Sequence, residues 1–235
     1  MNHIIDTLPK FREIIEKLEI IKLAVVKGSE INYTSQDARM VALDSLQISI
    51  SAVGMWIKSV NSLSKYFTQG GSFNENGFLD SVGSGLNIEQ TEKVMFDHLR
   101  LGFITLAHFK IDSLFHNILK YLKALPDRTG YWNLTDQILD LCSLSKTGAE
   151  KQYLTAFANL RNSLHGNGIH KTAPLSITID GIAFHFIKGK RVECASWNHV
   201  IVLLNSNVDI LGKILLSHNV ENIKTEIEDD FASGN

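Results

Sequence analysis

After Pro9, apolar residues recur at Phe11, Ile14, Ile15, Leu18, Ile21 and Ala24, the three-and-four spacing of one helical face. That pattern predicts a helix from Pro9 to about Val26. In YTSQDARMVAL, Thr34 or Ser35 supplies an N-cap and Asp37 falls in the first turn, where the helix dipole favours an acid. The helix so opened runs past Trp56 to Tyr66, with Gly54 as a point of bending. The stretch TQGGSFNENGFLDSVGSGLN, Thr68 to Asn87, is rich in Gly, Ser and Asn and reads as a long loop. A second long helix follows from about Ile88 to Ala124, closed by Leu125-Pro126. A shorter helix starts at Asn133 or Thr135 and runs through DQILDLCSL. The next, GAEKQYLTAFANLRNSLHG, has Gly148 before it and Gly166 at its end.

After Gly168 the helical period gives way to alternation in LSITIDGIAFHFIKGKRVEC. Asp180-Gly181 marks a hairpin turn within residues 175–193, and Lys188-Gly189-Lys190 a second turn. Phe184 and Phe186 flank His185, so one strand face packs inward. SWNHVIVLLNSNVDILGKILLSH reads as a closing helix capped by Ser196, and the acidic tail 219–235 is expected to fray. The elements sum to an all-α helical bundle with a small β-hairpin before the last helix. Residues 1–87 contribute N-terminal helices and a loop that pack on a core at 88–218, forming a single domain.

Composition changes this picture little. The 235 residues are 44% hydrophobic and 20% charged, ordinary for a globular protein. A net charge of −2 argues against coating nucleic acid by bulk electrostatics, while leaving room for a local basic patch. Cys142 and Cys194 are too few for a disulfide framework, which sets the expectation of a reducing, cytoplasmic compartment. Neither thiol has a basic or glycine-framed neighbourhood, so both are read as packing residues. The N-terminus lacks a secretory pattern, and the most apolar stretches are broken by His108, Lys110, Asn205 and Asp209, so no membrane is expected. GGSFNENG and SVGSG match neither a P-loop nor GxGxxG, and no cofactor is expected.

Candidate chemistry concentrates in LRNSLHGNGIH, Leu160 to His170. Arg161 and His165 are four apart, one turn along a helix face, at the edge of the stripe formed by Tyr153, Leu160 and Leu164. The nearby helix C-terminus favours cations, and Gly166 and Gly168 allow a sharp turn beyond them. Metal-free cleavage of an RNA phosphodiester needs a group to take the 2′-OH proton, a donor for the leaving 5′-oxygen, and a fixed cation for the charge on phosphorus. Histidine suits proton transfer near neutrality and arginine matches phosphate oxygens, with Asn162 placed to position either. Arg and His are also favoured at helix ends simply because they meet orphan carbonyls, so spacing alone leaves both readings open.

NLRNSLHGNG, on a helix late in an all-α bundle, resembles the signature helix of the HEPN superfamily. Its motif is Arg, usually followed by a polar residue such as Asn, then His after four to six intervening residues. The resemblance implies a bundle of four or five helices, a homodimer with facing signature helices, and a metal-independent endoribonuclease of toxin–antitoxin or antiviral systems. A cognate antitoxin or other protein partner follows from the same likeness; other members are non-catalytic binding modules for RNA, nucleotides or proteins. By resemblance, Arg161 stabilises charge, His165 is the acid/base, and Asn162 supports them. Asp112, in LAHFKIDSLFHNIL, takes the place of an earlier-helix acid that would hold Arg161 in a bidentate pair. His165 has only three residues between it and Arg161, and the commonest position for His is occupied by Gly166. Either His165 serves through an adjustment of the helix end or the catalytic geometry is lost.

Two further constellations remain. His108, Asp112 and His116 at i, i+4 and i+8 could offer ligands to a metal in a bundle hydrolase, but this spacing drifts off one face and no HExxH-like base accompanies it, so no metal is expected. From Lys146 to Glu193 there are seven Lys/Arg against three acids. Lys171, Lys188, Lys190 and Arg191 are the candidates there for an RNA backbone, against the plainer reading as solvated turn residues.

Overall fold

The computed structural model describes residues 6–32, 36–68, 88–123 and 130–230. Within them the chain forms α1 (Leu8–Ser29), α2 (Ala38–Thr68), α3 (Ile88–Tyr121), α4 (Tyr131–Leu141) and α5 (Ala149–His165). There follow β1 (Leu175–Ile179), β2 (Ile182–Phe186), α6 (Trp197–Leu215) and the single turn α7 (His218–Glu221). The all-α bundle with a late hairpin is thus the observed architecture.

Helix α6 is its apolar spine. Val200, Ile201, Leu203, Leu204, Val208, Ile210, Leu211, Ile214 and Leu215 are all buried, and each such side chain contributes roughly 1.5–3 kcal/mol when fully buried. α1 and α5 pack on α6, and both strands touch it. α1 buries its stripe of Phe11, Ile14, Leu18, Ile21 and Val25, with Pro9 in its first turn where no backbone donor is missed. The rings of Phe11, Phe103 and Trp197 meet with centroids 6.0–6.2 Å apart and tie α1, α3 and α6 together. The most extensive helix pairing, α2 against α3, spans the division at residue 87, so the N-terminal helices are part of the bundle.

The hairpin follows its turn chemistry. Asp180 and Gly181 both have positive φ (48° and 76°), the two-residue geometry that matches strand twist, and Ile179 pairs with Ile182. Phe184 and Phe186 face inward and are buried, while Ala183 and His185 are exposed.

Some expectations need correcting. α4 begins at Tyr131 rather than Asn133 or Thr135, because extended Gly130 serves as the cap residue and the Tyr131 ring packs on His108 at 4.5 Å. Thr34, Ser35 and the loop at 69–87 lie outside the described residues. Asp37 caps α2: its Oδ1 accepts from the Arg39 backbone N–H at 2.8 Å. The tail does not fray over residues 219–230. Ile223 and Ile227 are buried, Ala38 N–H donates to the Ile227 carbonyl, and Ile227 N–H donates to Asp37. Finally, α2 does reach membrane-span length and apolarity over Ala38–Ser62, although Leu43, Leu46, Ile50, Val53 and Ile57 on one face are in the protein core.

Candidate functional site: a cleft between α3 and α5

Helix α5 sets the site through its two faces. Leu154, Phe157 and Leu160 anchor it in the core, which leaves Arg161 half-buried and His165 exposed at its last residue. Both line a cleft of about 500 Å³ together with Thr105, Gly102, Leu106 and Phe109 of α3. The guanidinium and the imidazole therefore open onto one space, as their spacing on a helix predicts.

The helix end explains why His165 occupies the last turn. Gly166 N–H donates to the carbonyls of Asn162 and Ser163, both at 3.0 Å. A Cβ on Gly166 would stand 3.2 Å from the Ile169 carbonyl oxygen and 3.3 Å from that of Asn162. A histidine at the commoner family spacing would crowd that backbone. The left-handed residues of the turn are Asn167 and Gly168 (φ 56° and 81°), not Gly166.

The two side chains are held differently. Arg161 Nη1 donates to Asn162 Oδ1 at 2.8 Å, while Arg161 Nε is buried without a hydrogen-bond partner. His165 Nε2 lies 2.9 Å from Thr105 Oγ1. The Thr105 hydroxyl already donates to the Leu101 carbonyl at 2.8 Å, so its oxygen is left to accept from the imidazole. This places the proton on Nε2 of the neutral ring and leaves the Nδ1 lone pair available as a base.

Beneath Arg161 lies a buried polar layer. His108, 6% exposed, is enclosed by the rings of Tyr131 and Phe157. Burial, followed by the Arg161 charge, lowers its pKa to about 4, so it is neutral at physiological pH. Burial raises Asp112, offset by the nearby charges of His116 and Arg161. Burial likewise raises Tyr131, and the Asp112 carboxylate adds to that shift. Among the described residues Asp112 forms no ion pair with Arg161, contrary to the expected bidentate clamp. The two are coupled through space only.

The basic candidates are not in this cleft. Lys171, Lys188, Lys190 and Arg191 are exposed on the hairpin and its flanking segments. Arg191 comes nearest, its Nε passing 3.6 Å from where a Cβ on Gly168 would stand. His170 is a structural post: it is 1% exposed, with Nδ1 3.2 Å from Ser163 Oγ and Nε2 2.9 Å from the Ala173 carbonyl. Cys194 is buried and Cys142 half-buried, and burial raises both thiols, which keeps them protonated. Among the described residues no three His, Cys, Asp or Glu side chains are grouped to hold a metal ion. Sequence reasoning missed Thr105 and Gly102. Neither belongs to a motif, and only the packing of α3 on α5 brings them to Arg161 and His165.

Comparison of the chain with family models, with curated proteins and with solved structures finds no match.

Proposed function

We propose that the α3–α5 cleft is the active site of a metal-independent endoribonuclease of HEPN type. The observation that carries this reading is the shared cleft: an unpaired buried guanidinium nitrogen and an imidazole with a free Nδ1 face one cavity. In the reaction, the 2′-oxygen attacks phosphorus as His165 Nδ1 takes its proton, the P–O5′ bond breaks, and a proton passes to the leaving 5′-oxygen. Arg161 holds the non-bridging oxygens as charge builds on them, steered by Asn162. Thr105 fixes the imidazole. Buried neutral His108 keeps a second cation away from the guanidinium.

A homodimer through the motif-bearing helix fits the surface beside the cleft, where Met95, Leu106 and Phe109 of α3 are exposed. A second copy docked there would bring a second imidazole to serve as the acid. The two free thiols fit a cytoplasmic setting, and the toxin or antiviral context comes from the family likeness alone. The non-catalytic alternative, a module that binds RNA, a nucleotide or a protein through the same face, draws on the short Arg-to-His spacing that Gly166 enforces. Incubation with RNA in EDTA decides between them: cleavage leaving a 2′,3′-cyclic phosphate, with a 2′-deoxy substrate untouched, supports the nuclease. Saturable binding with no cleavage supports the module.

A further inference from the structure

A second cavity, about 660 Å³, lies on the other side of the helix–hairpin junction. Its floor is the outward face of β2, at His185 and Ile187, and its walls are the segment carrying Lys190, Arg191 and Glu193 and the first turn of α6, at His199. Elsewhere in the chain, surface lysines find carboxylates: Lys17 with Asp209, Lys120 with Asp230, Lys151 with Asp136 and Lys213 with Glu150. Among the described residues, Lys188, Lys190 and Arg191 pair with no Asp or Glu. Their positive charge is left without an internal counter-ion.

The cluster is also rigidly held. Gly189 (φ 77°) makes the turn, Lys190 N–H donates to the Ile187 carbonyl, and the backbone of His170 pairs with both Gly189 and Lys190. The His170 ring is in turn bound to Ser163 of α5. Arg191 is fixed by its bridge to Ile169 and by the Val192 N–H to Gly168 carbonyl bond. Ser176 Oγ sits 2.6 Å from His185 Nδ1 and orients that ring, leaving its Nε2 as the second polar atom. A guanidinium fork, an ammonium and an oriented imidazole, preorganised around one opening, match the oxygens of a tetrahedral phosphate.

We infer that this hairpin cavity is a phosphate-binding site, separate from the cleft, that anchors a phosphate of an RNA strand on its way past Gly168 to Arg161 and His165. As an RNA anchor it rests on the nuclease reading; as a phosphate site it does not.

The test uses the full chain with three probes: inorganic phosphate, a 2′-O-methyl RNA decamer that is not cut, and a Glu-rich decapeptide. Ring ¹⁵N shifts of His185 and His165 are followed by NMR. Decamer binding that shifts His185, and weakens roughly ten-fold in Lys190→Gln/Arg191→Gln, establishes an RNA-backbone site. The salt slope should then fall by about 1.4, near 0.7 per lost phosphate contact on a single strand. Phosphate alone shifting His185, with the decamer silent, keeps the site and assigns it to a free phosphate ligand. Equal binding of the Glu-rich peptide, or no shift with either phosphate probe, overturns the proposal. Both altered side chains are exposed, so the variant should fold; a far-UV spectrum and melting temperature matching wild type check this. The two readings fail separately, because cleavage of RNA in EDTA with unchanged KM in the double variant sinks the anchor and spares the nuclease.

Discussion

At the scale of single residues, the site is defined by how its two polar groups are held. His165 has one nitrogen fixed by Thr105 and one left open. Thr105→Val keeps the shape and removes the acceptor, so kcat should fall on the order of ten-fold with KM nearly unchanged, read by steady-state cleavage assays. His108 gives a stability prediction with a definite sign. Its folded pKa of about 4 lies below the model value of 6.5. Above pH 6.5 both folded and unfolded states hold it neutral; as pH falls from 6.5 towards 4 only the unfolded state takes the proton. The folded state therefore loses up to about 3 kcal/mol across that window. His199, lowered by burial as well, acts in the same direction. Urea unfolding of His108→Phe at pH 7 and pH 5 should show a smaller acid loss than wild type; an equal loss would assign the effect elsewhere. Arg161, Asn162 and His165 were readable from the sequence as a candidate trio because helical spacing puts i and i+4 on one face. That Asp112 stands off from Arg161 was not readable, since it depends on the rotation and depth of α3 against α5.

At the scale of elements, the informative position is Gly102. It lies within a 34-residue helix, yet a Cβ built on it meets nothing within 4 Å. Gly102→Ala should therefore raise stability by about 0.5–1 kcal/mol, measured by chemical denaturation, since the chain itself does not need the glycine. Gly102→Leu should fold as well but narrow the cleft and lower cleavage. Unchanged activity in the Leu variant would mean that substrate does not enter there. Helix periodicity and the Asp-Gly pair made the helices and the hairpin legible, because both patterns are local. α4 started earlier than expected for the opposite reason: Tyr131 is drawn into the helix by its packing on His108, a tertiary contact no local pattern carries.

At the scale of the whole molecule, one buried ion pair binds the two ends of the chain. Asp37 and Arg39 are fully buried, and the guanidinium donates to both Asp37 oxygens, to Ser29 Oγ, and to the carbonyls of Val220, Ile223 and Thr225. This network explains why the acidic tail is docked rather than frayed: its backbone carbonyls, not its acidic side chains, are what Arg39 binds. Charge composition suggested a solvated tail because it counts side chains only. Asp37→Ala leaves a buried arginine unpaired and should cost about 3–5 kcal/mol in urea unfolding, with early loss of amide protection at Ile227. The same whole-molecule view separates the cleft from the basic hairpin, two features that lie only some twenty residues apart in sequence yet open as different cavities.

The central claim, that Arg161 and His165 act together on one phosphodiester, is tested most directly by timed cleavage of a labelled RNA in EDTA by wild type, Arg161→Ala and His165→Ala proteins in parallel. The account predicts chelator-resistant cleavage by wild type and a loss of at least about 100-fold in each variant. Cleavage that persists in both variants, or a folded wild-type protein that never cuts, would contradict it.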